Sequence, residues 1–144
     1  MSFLLDTNVI SEWARSRPNS GVMAWLANAD EDRLFISVVT LAELRYGVER
    51  MSDGRRRRRL DAWLREELPL RFEGRVFPVD GVVADTWGKV AARSEARGRP
   101  IGAMDAFIAA TAEAHGLTLV TRNASDFEAS LDSIINPWTA EEAD

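Results

Sequence analysis

Four carboxylates stand at or near places where the chain changes character. Asp6 directly follows the apolar run Phe3-Leu4-Leu5, and Glu43 comes shortly after Leu34-Phe35-Ile36-Ser37-Val38-Val39. Asp105 opens a helical pattern, and Asp126 comes shortly after Leu117-Thr118-Leu119-Val120-Thr121. Clustered carboxylates repel, and burying one is costly unless it is paired. Few bases lie close in sequence to these acids, so a divalent cation is the fitting partner. Carboxylate-held Mg²⁺ can lower the pKa of a bound water, orient it in line with a phosphodiester and stabilise the leaving oxygen. Two such ions about 4 Å apart would be the two-metal form of the same chemistry.

Each acid also has a purely structural reading. Thr40-x-x-Glu43 is a capping-box pattern. Asp6 can cap a helix, Asp105 can complement a helix dipole, and Asp126 can close an Asx-turn. Only the joint pattern points to chemistry.

Composition narrows that chemistry. There is no cysteine, which removes thiolate nucleophiles, thiolate metal sites and disulfides. A single histidine, His115, excludes a multi-histidine metal site. Any metal must be held by oxygen ligands, which suits Mg²⁺, Mn²⁺ or Ca²⁺. A net charge of -5 argues against nucleic-acid binding through a globally basic surface. With 144 residues the chain fits one domain and one core. No apolar run has the length to span a bilayer, and Asp6 interrupts the N-terminal apolar stretch too soon for a signal peptide, so a cytoplasmic protein with no membrane partner is expected.

The elements that must hold the acids alternate in type. Phe3-Leu4-Leu5 reads as a buried strand, followed by a helix over Thr7 to Arg15 and a break at Pro18-Asn19-Ser20-Gly21. A second helix carries Val22, Trp25, Leu26 and Ala29. Leu34 to Val39 is a strong β run, and Thr40 opens a helix to about Met51. Arg55 to Leu68 is helical, with Leu60, Leu64 and Leu68 in register and Pro69 as its stop. Arg75 to Val79 is a short strand, and the next helix carries Val83, Trp87, Val90 and Ala91 as far as Gly98. A helix over about Met104 to His115 ends at Gly116, a plausible C′ glycine. Leu117 to Thr121 is a strand, and Ser133 to Asn136 a last short one. Such alternation argues an α/β domain with a mainly parallel sheet and helices on both faces. Ligands of such sheets bind outside the carboxyl ends of the strands, where Asp6, Glu43 and Asp126 fall and toward which Asp105 can project. Ala140 to Asp144 reads as an acidic tail.

Four segments then resemble one family. They are Leu4-Leu5-Asp6-Thr7-Asn8-Val9-Ile10, Ser37-Val38-Val39-Thr40-Leu41-Ala42-Glu43-Leu44-Arg45-Tyr46-Gly47, Asp105-Ala106-Phe107-Ile108-Ala109-Ala110-Thr111-Ala112 and Leu119-Val120-Thr121-Arg122-Asn123-Ala124-Ser125-Asp126-Phe127. Together they resemble PIN-domain ribonucleases, and among these the VapC toxins of type II toxin–antitoxin systems, in the FitB-like branch. The resemblance implies a three-layer α/β PIN domain over residues 1–139, with 140–144 as tail. It also implies cleavage of single-stranded RNA or RNA loops with Mg²⁺ or Mn²⁺. Asp6 and Asp105 match the best-attested metal ligands and Glu43 the third acid. The fourth position falls to Asp126, with Asn123 as a polar supporter, although some relatives carry an acid where this chain has Asn123. Asn8 and Thr121 match polar residues that orient the acids or the water. The implied partners are an RNA substrate, a second copy in a homodimer, and a cognate antitoxin. That antitoxin's C-terminal segment blocks the site, and only its N-terminal part binds operator DNA. Two alternatives stay open: a PIN-like binding module that no longer cuts, and an RNA-processing PIN nuclease without an antitoxin.

Other features have weaker readings. Arg55 to Arg59 reads first as a solvated helix face, helped by Asp53–Arg57 and Asp61–Arg65 at i,i+4, and second as a patch tracking an RNA backbone. Arg45 and Arg122, inside the motifs, are candidates for phosphate contact or for pairing with a carboxylate. Trp25, Trp63 and Trp87 read as core, Trp13 and Trp138 as candidate partner surface, and His115 as a surface residue complementing a helix dipole. A haloacid-dehalogenase-like phosphatase would need an acid where Asn8 stands, and no phosphate-binding lysine follows a suitable strand. A receiver domain fails for want of an acidic pair, and no Walker, dinucleotide or nucleophile-elbow motif is present.

Overall fold

The computed structural model describes residues 1–138, so the tail expected over Ala140–Asp144 lies outside the described residues. Five strands form one sheet: β1 (Phe3–Leu5), β2 (Leu34–Ser37), β3 (Val76–Phe77), β4 (Thr118–Val120) and β5 (Ile134–Ile135). Their order is β3-β2-β1-β4-β5, and every pairing is parallel. Parallel neighbours need crossover connections. The helices supply them: α1 (Thr7–Glu12), α2 (Ser20–Asn28), α3 (Val38–Glu49), α4 (Arg55–Ala62), α5 (Leu68–Arg71), α6 (Gly81–Ala96), α7 (Ala103–Ala114) and α8 (Ala124–Phe127).

The alternation of side chains along a strand separates two cores. Leu5, Ile36 and Val120 pack on one face with Ile10, Leu26, Leu64 and Phe72. Leu4 and Leu119 pack on the other with Val83, Val90, Ile108 and Phe127. Alanines at 106, 109, 110 and 112 are fully buried, which brings the α7 backbone close to the sheet. The three-layer arrangement expected from the sequence is therefore present. Gly116 has φ of 63°, and Leu117 N–H donates to Ala112 C=O at 2.8 Å, a left-handed ending that turns α7 into β4.

Several boundaries differ from expectation. The β2 strand ends at Ser37, whose side chain caps α3 by accepting from Val39 N–H at 3.0 Å. The helix therefore starts two residues before Thr40, and the capping box does not form. Pro69 does not stop the Arg55 helix. Trp63–Glu67 widens into a π-helical segment, and Pro69 then sits in the first turn of α5, where its missing N–H is harmless. The first helix ends at Glu12 rather than Arg15. A 3-10 turn (Glu31–Arg33) and α8 fill stretches that carry no helical periodicity. Trp138 is 7% exposed and belongs to the first core, so its reading as partner surface is corrected. Trp13 is partly buried, with the Arg71 guanidinium 3.9 Å from its ring centroid. Exposed His115 follows α7 and stacks on Phe77 at 3.9 Å between centroids.

Candidate active site

In the strand order the chain first steps from β1 to β2 and β3, then returns to the other side of β1 with β4 and β5. The carboxyl ends of β1 and β4 thus flank a topological switch point, the place where such sheets bind ligands. Asp6 leaves β1 there and Thr121 leaves β4 beside it. Asp6 N–H donates to Val120 C=O at 2.9 Å, extending the ladder by one residue before the chain turns into α1.

Asp6 is the N-cap of α1, its Oδ1 accepting from Thr7 N–H at 2.8 Å. Its Oδ2 accepts from the Thr121 hydroxyl at 2.8 Å, with Asn8 Nδ2 more distant at 3.5 Å. The capping reading is therefore correct without excluding a chemical one. Asp6 is only 5% exposed. Burial pushes its carboxyl up to about 6, the bonds from Thr121 and Thr7 N–H oppose that rise, and the negative charges of Asp105 and Glu43 add to it.

Thr121 is fully buried, and its oxygen also accepts from Asn123 N–H at 3.0 Å and from Asn8 Nδ2 at 3.4 Å. Asn8 Oδ1 takes Arg122 N–H at 3.2 Å. Asn8 and Thr121 thereby tie the exit of β4 to the start of α1 and fix the orientation of Asp6.

Glu43 reaches the same edge from α3. Its Oε1 accepts from the Thr7 hydroxyl at 2.6 Å, and Thr40 Oγ1 lies 3.2 Å from Thr7 Oγ1. Thr7 thus serves two acids, giving its N–H to Asp6 and its hydroxyl to Glu43. Sequence reasoning missed it, although it stands inside the Asp-Thr-Asn segment.

Asp105 lies in the first turn of α7 and is half-buried, with no hydrogen bond or ion pair among the described residues. Burial raises its pKa first, and the charges of Glu43 and Asp126 raise it further. Asp126, exposed in the first turn of α8, lines one recess with Asp105. Arg99 borders that recess, but its guanidinium donates to Ser125 C=O at 2.6 Å and stands 3.9 Å from Glu128. Asn123 is exposed, and its side chain does not cap α8. The charge of Asp126 acts on Asp105, whereas Asn123 carries none.

Among the described residues none of Asp6, Glu43, Asp105 and Asp126 takes part in an ion pair. Arg45, a candidate partner for them, instead holds Asp61 at 2.6 Å and Glu49 at 3.7 Å. The guanidinium of Arg122 stands 5.5 Å from the Trp138 ring centroid. The site is thus a set of hard oxygen donors with a surplus of negative charge, one of them buried and two with raised pKa. Such a donor set fits a hard divalent cation. It is not a ready-made cage, since among the described residues no three acidic or imidazole groups already stand close enough to chelate one ion.

Comparison with known proteins gives a consistent answer. The family model described as PIN domain matches residues 3–129. The chain is 39% identical over 135 residues to "Toxin FitB" of Neisseria gonorrhoeae, covering 94% of this chain and 97% of that protein. It is 41% identical to "VapC ribonuclease Y4jK" of Sinorhizobium fredii, covering 94% and 96% respectively. It is 32% identical to "tRNA(fMet)-specific endonuclease VapC" of Shigella flexneri, covering 89% and 91%. Among solved structures, FitAB bound to a DNA fragment superposes with a TM-score of 0.90 at 36% identity, covering 95% of this chain and 96% of that one. DNA-bound VapBC from Salmonella typhimurium superposes at 0.78 with 31% identity, covering 96% and 99%.

Proposed function

The chain belongs to the PIN-domain family, and on that premise we propose that it is a divalent-metal-dependent ribonuclease acting as the toxin of a toxin–antitoxin pair. The observation that carries the proposal is the gathering of Asp6, Glu43, Asp105 and Asp126 at the switch point with, among the described residues, no basic side chain paired to them. Relatives with the same architecture carry the names ribonuclease, endonuclease and toxin.

Asp6, Glu43, Asp105 and Asp126 are the residues that would hold Mg²⁺ or Mn²⁺. A bound ion supplies an activated water at neutral pH and charge stabilisation at the phosphodiester. The rest of the work belongs to the chain. Thr121 and Asn8 keep Asp6 oriented, and Thr7 holds Glu43 against it. Burial around Asp6 lowers the local dielectric and strengthens attraction for a cation. Asp126, exposed at the rim, can accept a hydrogen bond from a water on the solvent side.

The solved FitAB and VapBC complexes pair relatives with antitoxins on DNA, which supports a cognate antitoxin as partner and DNA contact through that antitoxin. An apolar groove bounded by α1, α3 and α4 opens beside Glu43 and Thr7, and an antitoxin segment seated in it would cover Glu43. The family resemblance also implies a homodimer. Among the described residues no helix is long and apolar enough to cross a membrane, and an RNA substrate puts the work in the cytoplasm.

The test is cleavage of a mixed RNA pool by antitoxin-free protein in Mg²⁺ or Mn²⁺, against the same reaction in EDTA. Cleavage abolished by EDTA is expected. A folded protein that binds metal but cuts no RNA would favour the binding-module reading.

A further inference from the structure

The five consecutive arginines of α4 are not equivalent. Arg57 donates to Met51 C=O and to Glu49, each at 3.0 Å, and Arg58 stands 3.6 Å from Asp53. The expected Asp53–Arg57 pair is therefore replaced, whereas Asp61–Arg65 forms at 2.8 Å. Arg55, Arg56 and Arg59 are exposed, and among the described residues they have no acidic, carbonyl or aromatic partner.

The first two are placed unfavourably for the helix itself. Arg55 and Arg56 occupy its first turn, where the macrodipole is positive, no acid stands and the N-cap Gly54 offers no side chain, while Arg59 lies in the last turn. Arg55 and Arg59 are like charges at i,i+4, which repel. Local stability therefore does not explain this run.

The groove explains it. Residues 56, 59, 60 and 63 share one helical face, at spacings of three, four and seven. Arg56 lines the groove that also contains Thr7 and Glu43. Arg59 lines the adjoining recess, and Trp63 borders both. A row of uncompensated guanidiniums thus begins beside the carboxylate site and runs outward along an aromatic edge. Basic side chains that follow a backbone beside an aromatic surface are what single-stranded nucleic acid requires. In a chain of net charge -5, such a local row is where a polyanion can be held.

We propose that Arg55, Arg56 and Arg59 form a phosphate-tracking ridge that holds single-stranded RNA on one side of the carboxylate site. The inference rests on the ribonuclease reading and adds where the strand lies. An acidic protein segment is the competing occupant, and the test separates the two.

The experiment measures anisotropy of a fluorescein-labelled 12-nucleotide polyuridine with the full chain in EDTA, across a salt series. The proteins compared are wild type, the triple variant R55Q/R56Q/R59Q, its lysine counterpart R55K/R56K/R59K, and R33Q as a control. Arg33 is exposed and precedes β2, at the opposite end of the sheet. A single-strand phosphate contact contributes about 0.7 to the slope of log affinity against log salt. Loss of three contacts should lower that slope by about 2 and weaken binding by roughly tenfold or more at low salt. The lysine variant should keep the slope, because it keeps the charge, and R33Q should match wild type. Thermal unfolding of the glutamine variant should stay close to wild type, since two charges leave the positive helix end while one leaves the last turn. An unchanged slope and affinity in the glutamine variant, with wild type still cutting RNA, would overturn the ridge and leave the nuclease reading standing. Binding of a polyglutamate peptide that needs these arginines, with RNA binding indifferent to them, would assign the ridge to a protein partner. A wild type that neither binds nor cuts RNA would overturn both.

Discussion

The Thr121 hydroxyl donates to Asp6 Oδ2 at 2.8 Å across the junction of β1 and β4, and it is the fully buried contact that fixes the most buried acid of the site. Because the bond favours the charged carboxylate, its removal pushes the Asp6 pKa further up. Thr121→Val should therefore shift the acidic limb of the cleavage pH profile upward and lower activity, by about twofold at pH 7 for a shift of about one unit. It should also destabilise the fold by about 1–3 kcal/mol, since Asn123 N–H loses its acceptor as well. Thr121→Ser should restore the profile. A pH–rate series on the three proteins checks this.

Asp6 makes metal-free stability depend on pH in a defined direction. Its folded pKa, about 6, lies above its ordinary value of 3.8. Between those values the folded state holds a proton that the unfolded chain releases. The contribution is fully present below about pH 3.8 and is lost as pH rises through 6. At pH 8 the buried charge costs roughly 2–3 kcal/mol. Asp6→Asn removes the charge and surrenders one acceptor oxygen, so in EDTA it should be more stable than wild type by about 1–2 kcal/mol at pH 8. That advantage should vanish at pH 4. Urea midpoints at pH 4, 6 and 8 measure the difference. Mn²⁺ should raise the wild-type midpoint at pH 8 and leave Asp6→Asn nearly unmoved.

Thr7 links Glu43 to the rest of the site through one hydroxyl bond of 2.6 Å. Thr7→Ala frees the glutamate without touching the cap, because the backbone N–H still serves Asp6. A charge-assisted bond contributes about 1.5–3 kcal/mol. The expected result is a loss of about tenfold or more in cleavage rate with a change in melting temperature of only a few degrees. Thr7→Ser should behave as wild type. Equal losses in the alanine and serine variants would contradict the hydroxyl's role.

Glu12 is the structural counterpart, an acid buried away from the site. It is 3% exposed, and it accepts Asn19 N–H at 2.8 Å and Arg15 at 3.1 Å, tying the loop after α1 to the start of α2. Glu12→Ala removes the carboxylate acceptor of a buried N–H and of Arg15 and should cost about 2–3 kcal/mol. Cleavage per folded molecule should stay within about twofold of wild type. Chemical denaturation with activity normalised to the folded fraction tests the separation.

The alternation of short apolar runs with helical stripes made the parallel sheet legible, because buried strands read as continuous apolar segments and the helices between them supply the crossovers. The nearness of Asp6, Glu43 and Asp126 to strand ends, with Asp105 at the start of a helix, and the resemblance of four segments singled these acids out as candidates. Thr121, 115 positions from Asp6, was expected to orient the acids through the family resemblance alone. The Thr7 contact was not legible, since Thr7 to Glu43 spans 36 positions and nothing local marks such a hydroxyl as a donor to a distant acid. The fate of Arg45 was hidden for the same reason, since Asp61 comes to it from another helix. Pro69 misled because a π-helical segment upstream lets the chain continue. Trp138 misled because a tryptophan outside any periodic stripe gives no sign of which face it joins.

The proposed ribonuclease depends on these carboxylates to hold its metal. The most direct measurement is RNA cleavage in Mn²⁺ by Asp105→Asn beside wild type, since Asp105 is half-buried and its loss breaks no hydrogen bond among the described residues. A folded Asp105→Asn protein with cleavage reduced by at least about a hundredfold, roughly 2.7 kcal/mol, is the predicted result. Cleavage at the wild-type rate by that folded variant would contradict the assignment of the site.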